Sequence, residues 1–384
     1  MAFSTPLLSR KLRIGVIFGG RSCEHEVSLV SGFSVIAHLD REKYEIVPIR
    51  VTKAGVWLLD TVTTEVATVE PALHADIDSV ERQAVMPTGT IPSHHLMQAV
   101  NEILPSMDLD IIFPVLHGSY GEDGTVQGLF EMANIPYVGC GVLGSALGMD
   151  KAVSKMLFRA AGLPVVNFLV FSRQEWEQSP QQMLATIEQS LDYPCFVKPA
   201  NAGSSIGVTK AFSRQTLQDA ARLAYRYDSK ILVEQAINCR ELACSVLGNH
   251  EVLVSPIGEV ISNSEFYDYQ TKYFDTTSYT VAPADIPDEV SQEMRSMAER
   301  AFHVLNLNGL ARIDFFLDKE TSQVYINEVN TLPSFTPQCM YAKLWAVSGL
   351  SYPELLDFLI TLAFEYYADR QRNQTSIVSI PNRP

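Results

Sequence analysis

Apolar residues in this chain come as short unbroken runs separated by glycine turns and by stretches of helical periodicity. Leu12 to Gly20, LRIGVIFGG, is the first run and ends in Gly-Gly; a helical pattern follows from about Glu24 to Leu39, and then a second run, YEIVPIRV. Strand, glycine turn, helix and strand in that order predict a βαβ unit of a parallel sheet. A third strand, LDIIFPVL, ends at His117 in the Gly-rich loop HGSYGEDG, and a helix over Thr125 to Ala133 and a short strand, IPYVG, close this first unit. Between Gly55 and Met107, scattered Pro, Thr and His leave room only for short strands and loops.

From Met149 the segment MDKAVSKMLFRAAG reads as a helix that stops at Gly162 and Pro164. Strand VVNFLVF, a helix near Pro180 to Leu191 and strand CFVKP come next, and NAGSSIG between CFVKP and VTKAF predicts a hairpin with a small-residue tip. ILVEQAI reads as a strand leading into a last unit that holds ELACSVLG, EVLVSPIGEVI, a helix from Pro287 to Leu305, strands ARIDFFLD and QVYINEV, and a helix after Pro353. The fold class is α/β, with units at 1–140, 141–233 and 234–370 and a polar tail, 371–384, expected to be disordered. At 384 residues, two or three domains are expected.

Composition narrows the function. Hydrophobic residues make up 47% and charged residues 19%, so the chain has ample material for cores. A formal net charge of −15 excludes the basic footprint of a nucleic-acid binder but leaves room for a few lysines that hold phosphates. The late apolar stretch Leu355 to Phe364 is too short to span a membrane and contains Asp357, and the N-terminus lacks a signal-peptide core. The six cysteines form no CxxC or zinc-like spacing and read as reduced thiols of a cytoplasmic protein.

Chemistry concentrates in a few places. In ARIDFFLD and QVYINEVN, alternation puts Arg312 and Asp314 on one strand face and Glu328 and Asn330 on one face of the other. A hairpin through Asp318 to Gln323 brings the faces together; oxygen ligands alone suit a hard cation such as Mg²⁺, and a structural salt bridge around Arg312 is the alternative. Lys198 before NAGSSIG offers a point charge and an approachable backbone for phosphate, although the P-loop pattern is absent and an ordinary Gly-Ser hairpin reads the same way. Gly139 to Gly144 fits GxGxxG, but no acid stands at the distance a dinucleotide site needs. In GGRSCEHEVS, Glu24 either caps the helix or faces the crevice to meet an ammonium, and Glu26 reads as a helix-start acid. His117 lies at the same sheet edge, as a ligand group or a turn residue, and EFYDYQTKY suits either a loop over a small ligand or a packed surface loop.

Together these motifs resemble the D-alanine–D-alanine ligases of the ATP-grasp fold: GGRSCEHEVS, HGSYGEDGTVQG, MDKAVSK, FVKPANAGSSIGV, VEQAINCRE, EFYDYQTKY, ARIDFFLD and INEVNTLPSFT occur in that family's order, from about Arg13 to Leu359. The resemblance implies three domains with ATP gripped between the central and C-terminal ones, and ligation of two D-alanines through a D-alanyl phosphate for peptidoglycan precursor synthesis. Lys151, Lys198 and Ser205 would hold the phosphates, Glu234 with Ala236 and Ile237 the adenine, and Glu241 the ribose. Asp314, Glu328 and Asn330 would ligate two Mg²⁺ ions, with Mn²⁺ able to stand in.

On the substrate side the resemblance implies that Glu24 receives the donor ammonium and His117 orients it, while Glu24, Ser204 and Tyr273 tie down a closed loop. Arg312 and a backbone N–H near Ser334 would stabilise the oxyanion, and Lys272, Cys339 and Met340 would hold the acceptor carboxylate. A homodimer is implied as well. An acyl phosphate needs protection from water, so the 265–280 segment is expected to act as a lid. The chain departs from the family's pattern at Ser334 (usually Gly), Cys339 (usually Ser) and Ala342 (usually Pro), all on the acceptor side, so D-serine, D-lactate or another small acceptor is the alternative to a second D-alanine. A non-catalytic nucleotide-binding module and an oxidoreductase resting on GCGVLG are the readings from other classes.

Overall fold

The computed structural model describes residues 10–59, 89–91, 107–261 and 279–374. Their strands form three sheets, of five, six and four strands. The apolar runs at the start become β1 (Leu12–Gly19), β2 (Tyr44–Val51) and β5 (Ile111–Val115), with helix α1 (His25–His38) crossing from β1 to β2. β1 pairs in parallel with both β2 and β5. Two short strands, β3 (Trp57–Leu59) and β4 (Gly89–Ile91), add antiparallel at the edge, so the expected parallel sheet is a mixed one with a parallel centre. IPYVG, expected as a strand, makes only a single bridge from Tyr137 to Ile112. Gly139, with φ +106°, turns the chain away there. It leads into α2 (Thr125–Met132)'s successor, α3 (Val142–Met149), a helix that the GCGVLG reading did not anticipate.

The central sheet contains β6 (Phe168–Ser172), β7 (Cys195–Pro199), β8 (Thr209–Ala211) and β9 (Lys230–Gln235), in the order β6-β9-β7-β8. Because β9 pairs with both β6 and β7, ILVEQ completes this central sheet rather than opening the last one. Helices α5 (Arg173–Gln178), α6 (Pro180–Ser190) and α7 (Arg214–Ala224) cover it through Trp176, Leu184, Ile187, Leu217 and Ala221. Helix α4 (Lys151–Ala160) starts where Asp150 accepts the N–H groups of Ala152 and Val153 at 3.1 Å each.

The third sheet runs β13 (Tyr279–Val281), β12 (Gly258–Ile261), β10 (Cys239–Gly248), β14 (Gly309–Asp318), β15 (Val324–Asn330), with β11 (Val252–Val254) on β10. Pro256, which has no N–H to give a ladder, divides EVLVSPIGEVI into β11 and β12. Helix α8 (Asp288–Val304) covers one face with Met294, Met297, Ala301 and Phe302. After α9 (Met340–Val347), the last helix α10 (Tyr352–Arg370) returns to the first unit. There Leu355, Leu359 and Ile360 share one core with Ile14, Val35 and Phe113. The first unit and the last helix are therefore one packed body, with Asp357 accepting from Lys43 at 2.6 Å and from the Tyr44 hydroxyl at 2.7 Å. Among the described residues no single helix is long and apolar enough to cross a membrane; α9 and α10 together match in length and composition but are bent by 103° and contribute to that core.

Candidate active site

The hairpin of β14 and β15 is antiparallel, with Asp314 opposite Glu328 and Arg312 opposite Asn330. Ala311, Ile313 and Phe315 point into the core, which leaves Arg312 and Asp314 half-buried on the other face. The turn is tightened because Asp318, still in the strand, accepts the N–H groups of Glu320 and Thr321. Arg312 donates Nε and Nη2 to the two oxygens of Asp314, each at 2.7 Å, and Asn330 Nδ2 donates to Asp314 Oδ2 at 3.0 Å. Glu328 Oε2 lies 3.2 Å from Lys151 Nζ, which also donates to the Ala202 carbonyl at 2.7 Å. Both sequence-based alternatives for this cluster thus coexist: a salt bridge, and a converging set of oxygen donors. Among the described residues no group of three His, Cys, Asp or Glu could hold a metal. A hard cation here would therefore draw on two carboxylates, the Asn330 amide oxygen and oxygens brought by a ligand, which fits the donor chemistry of Mg²⁺.

Lys151 and Lys198 sit at the junction of the central and third sheets. Lys198 is buried and pairs with Glu234, which on its other side meets Lys155 Nζ at 2.7 Å. Burial disfavours all three charges. At Lys155 it prevails and lowers the ammonium's pKa; at Lys198 the Glu234 carboxylate, with Glu328 and Glu241 further off, raises it. Burial alone would raise Glu234, yet the two ammonium groups hold its carboxyl at about 2. Glu234, expected beside adenine, has its carboxylate engaged by the two lysines. Beyond it the chain passes to the third sheet through Ala236 and Ile237. The Ala236 N–H is taken by the Pro194 carbonyl at 3.2 Å, and no partner is seen for the Ile237 N–H among the described residues. Glu241 lies on β10 opposite Phe316. Ser204 and Ser205, in the hairpin tip, both adopt left-handed backbone, φ 49° and 57°.

Across the cleft, Glu24 stands at the N-cap of α1 without capping it, and is 6% exposed. Ser204 donates to Glu24 Oε1, linking the hairpin tip to the first unit. A Cβ at Gly118 would lie 2.7 Å from Glu24 Oε2, and one at Gly203 would overlap it, so both glycines admit this carboxylate. That geometry favours the crevice-facing reading of Glu24; Glu26 pairs with Lys53. His117 is 3% exposed: Nδ1 donates to the Leu332 carbonyl at 3.0 Å and Nε2 meets Ser31 Oγ at 2.9 Å. Ser334 is half-buried and is not among the residues with positive φ, so its N–H is available despite the exchange of Gly for Ser. Cys339 Sγ lies 3.0 Å from Thr336 Oγ1, whereas Met340 is buried against Ala243 and Leu344. Ala342 is buried as well. Lys272, Tyr273 and the expected lid up to residue 278 lie outside the described residues.

Two family models match, described as D-ala D-ala ligase N-terminus over residues 13–140 and D-ala D-ala ligase C-terminus over residues 157–361. The chain is 46% identical over 375 residues to the D-alanine–D-alanine ligase of Ruminiclostridium cellulolyticum, covering 95% of this chain and 99% of that one. It belongs to the D-alanine–D-alanine ligase family. The ligase of Caldicellulosiruptor bescii is 47% identical over 92% of this chain and 96% of its own. Among solved structures, the D-alanine–D-alanine ligase of Coxiella burnetii superposes with a TM-score of 0.76 at 31% identity, covering 94% of this chain and 96% of that one. The VanG D-Ala:D-Ser ligase of Enterococcus faecalis gives 0.75 at 35%, covering 92% and 100%. The fold is therefore the mixed α/β, three-sheet architecture of these ligases.

Lys155, Glu122 and Ser31 are site neighbours that the sequence reading passed over. Lys155 follows Lys151 by four residues on α4, and that one-turn spacing was the available signal. Glu122 lies within HGSYGEDGTVQG and Ser31 three residues beyond GGRSCEHEVS, but nothing local marks a buried serine or a loop glutamate as a contact to residues far along the chain.

Proposed function

We propose that this chain joins two D-alanines into D-alanyl-D-alanine, converting ATP to ADP and phosphate through a D-alanyl phosphate. The observation that carries the reading is one cleft containing two groups of opposite sense. Lys151 and Lys198 stand beside the oxygen donors Asp314, Glu328 and Asn330, and the buried Glu24 faces them from the first unit. Phosphoryl transfer needs positioned charge rather than a protein nucleophile.

In this reading the donor's ammonium meets Glu24, and its carboxylate oxygen attacks the γ-phosphorus while ADP leaves. Lys151 and Lys198 neutralise phosphate oxygens, with Ser205 and the hairpin tip against them. Asp314, Glu328 and Asn330 would hold Mg²⁺ (two ions, or Mn²⁺ in their place), which would supply positive charge against the phosphate oxygens. Ile237 and Ala236 supply backbone to adenine and Glu241 a carboxylate to ribose. The second alanine's amine then attacks the acyl carbon, and the carbon–oxygen bond to phosphate breaks. Arg312 and the Ser334 N–H meet the oxyanion. Lys272, Cys339 and the backbone at Met340 receive the acceptor carboxylate, and Tyr273 joins Glu24 and Ser204 in closing the lid. The enzyme acts in the cytoplasm as a homodimer; six free cysteines support that compartment.

A D-serine acceptor is the second reading, supported by Ser334, Cys339 and Ala342 and by the likeness to the VanG D-Ala:D-Ser ligase. Incubation with ATP, Mg²⁺ and D-alanine should give ADP, phosphate and dipeptide in equal amounts, with L-alanine inert as donor. ATP hydrolysis without dipeptide refutes the ligase reading, and a mixed D-alanyl-D-serine product favoured in competition decides for the second.

A further inference from the structure

The loop after β15 carries the proposed oxyanion donor, and the first unit grips almost every backbone group around it. Glu122 accepts the Gly118 N–H at 2.7 Å, and its carboxyl also lies close enough to the Leu332 N–H to interact with it. His117 Nδ1 donates to the Leu332 carbonyl at 3.0 Å, so both ends of that residue's backbone are held by the HGSYGEDG loop. Thr331 Oγ1 donates to the Glu122 carbonyl at 3.3 Å. Ser31, 1% exposed on α1, accepts the Phe335 N–H at 3.1 Å and contacts His117 Nε2 at 2.9 Å. Because a carbonyl only accepts, Nδ1 carries a proton, and Ser31's oxygen, with two lone pairs, can accept from Phe335 whichever of Ser31 and Nε2 donates to the other. The Phe335 carbonyl accepts from the Tyr352 hydroxyl at 2.9 Å, and its ring is buried against Phe113, Tyr341 and Tyr352.

Between Leu332 and Phe335, then, one N–H lies against the Glu122 carboxyl, Pro333 has none, and another is held by Ser31. Among the described residues the Ser334 N–H is the one donor of that stretch with no protein partner. We propose that Ser31 and Glu122 are positioning residues, which with His117 clamp the Leu332–Phe335 loop so that the Ser334 N–H is aimed at the oxyanion formed in the peptide-forming step. Neither side chain touches the reacting atoms. The proposal rests on the ligase reading and adds to it a cause for the rigidity of the loop: a donor that must not reorganise during reaction is tied to the packed body formed by the first unit and the last helix.

Ser31→Ala removes the acceptor of Phe335 and the partner of His117 with the loss of one buried oxygen. A donor that is displaced rather than deleted should cost about ten- to a hundredfold in kcat for dipeptide, with the KM for ATP within about twofold. Acyl phosphate formation precedes the oxyanion, so scrambling of ¹⁸O between the β,γ-bridge and the β-nonbridge positions of ATP, which reports that first step, should continue. The ratio of scrambling to dipeptide should rise about tenfold or more in Ser31→Ala, and Glu122→Ala, which removes the carboxyl altogether, should move it the same way. If Ser31→Ala fails to fold by circular dichroism, Glu122→Ala decides alone. Scrambling and dipeptide falling in proportion, or kcat unchanged in both variants, overturns the clamp. Absence of both signals in the unmodified enzyme overturns the ligase reading and the clamp with it.

Discussion

Lys155, Lys198 and Glu234 form a buried trio of charges whose sum is +1, and its response to substitution follows from counting. Glu234→Gln leaves two ammonium groups, 1% and 11% exposed, without the carboxylate between them. Removing one partner of a buried ion pair costs about 3–5 kcal/mol, because the remaining charge is uncompensated. Lys155→Met leaves Lys198 and Glu234 as a one-to-one pair, and Met fills most of the volume of the lysine stem, so the change should cost no more than about 1 kcal/mol. The assay can be confined to the unit concerned. Trp57, Trp176 and Trp345 lie in three different cores, with Trp176 in that of the central sheet. In a Trp57→Phe, Trp345→Phe background, fluorescence during urea unfolding reports the central unit alone. With slopes of about 1–3 kcal/mol per M, Glu234→Gln should lower the midpoint by about 1–5 M and Lys155→Met, at the same slope, by no more than about a third of that. Equal shifts, or a larger one for Lys155→Met, refute the charge count.

Other outcomes follow from the same geometry. Glu328→Gln should lower kcat at least about a hundredfold, as expected for loss of charge stabilisation in phosphoryl transfer. Stability should move by under about 1 kcal/mol, since Glu328 is 28% exposed and Lys151 keeps the Ala202 carbonyl; unfolding with near-normal residual activity would mean the hairpin cluster is structural. Cys339→Ser replaces a weak donor by a hydroxyl and should lower the acceptor KM about five- to thirtyfold, leaving the KM for ATP unmoved. Unchanged acceptor kinetics would assign the side chain to Thr336 alone, its present 3.0 Å neighbour. Burial, and then the charge of Glu24, raise Glu122 from 4.5 to about 8. Folding therefore binds a proton here, and the stabilisation is full below pH 4.5 and fades as pH rises towards 8. Between pH 5 and 8 the thermal midpoint of Glu122→Gln should fall less than that of the parent, and equal slopes would count against the raised carboxyl.

Much of the architecture was legible because buried parallel strands are continuous apolar runs: β1, β2 and β5 stand where LRIGVIFG, YEIVPIRV and IIFPV read as strands. Helix α3 was not, since VLGSALGM carries two glycines that weaken a helix on propensity alone. Tertiary contact explains them: a Cβ at Gly144 would lie 2.7 Å from the Asn306 carbonyl oxygen, and at Gly148 2.5 Å from Thr331 Cγ2. The allocation of β9 also escaped a linear reading, as its partners on β6 and β7 lie 32 to 66 residues earlier in the chain. In the site, Asp314 and Glu328 were readable from alternation across one hairpin. The Glu24–Ser204 link spans 180 residues and came from the family resemblance, while the Ser31–Phe335 bond spans 304 and had no local signal at all.

The central claim is that a carboxylate oxygen of the first D-alanine attacks phosphorus and departs with it. D-alanine labelled with ¹⁸O in its carboxylate, turned over with unlabelled ATP, tests this directly when the released phosphate is examined by mass spectrometry. One ¹⁸O atom should appear in phosphate for each D-alanyl-D-alanine formed, because the carbon–oxygen bond of the acyl phosphate is the one that breaks. Dipeptide accompanied by phosphate free of ¹⁸O, or phosphate released without dipeptide, would contradict the account.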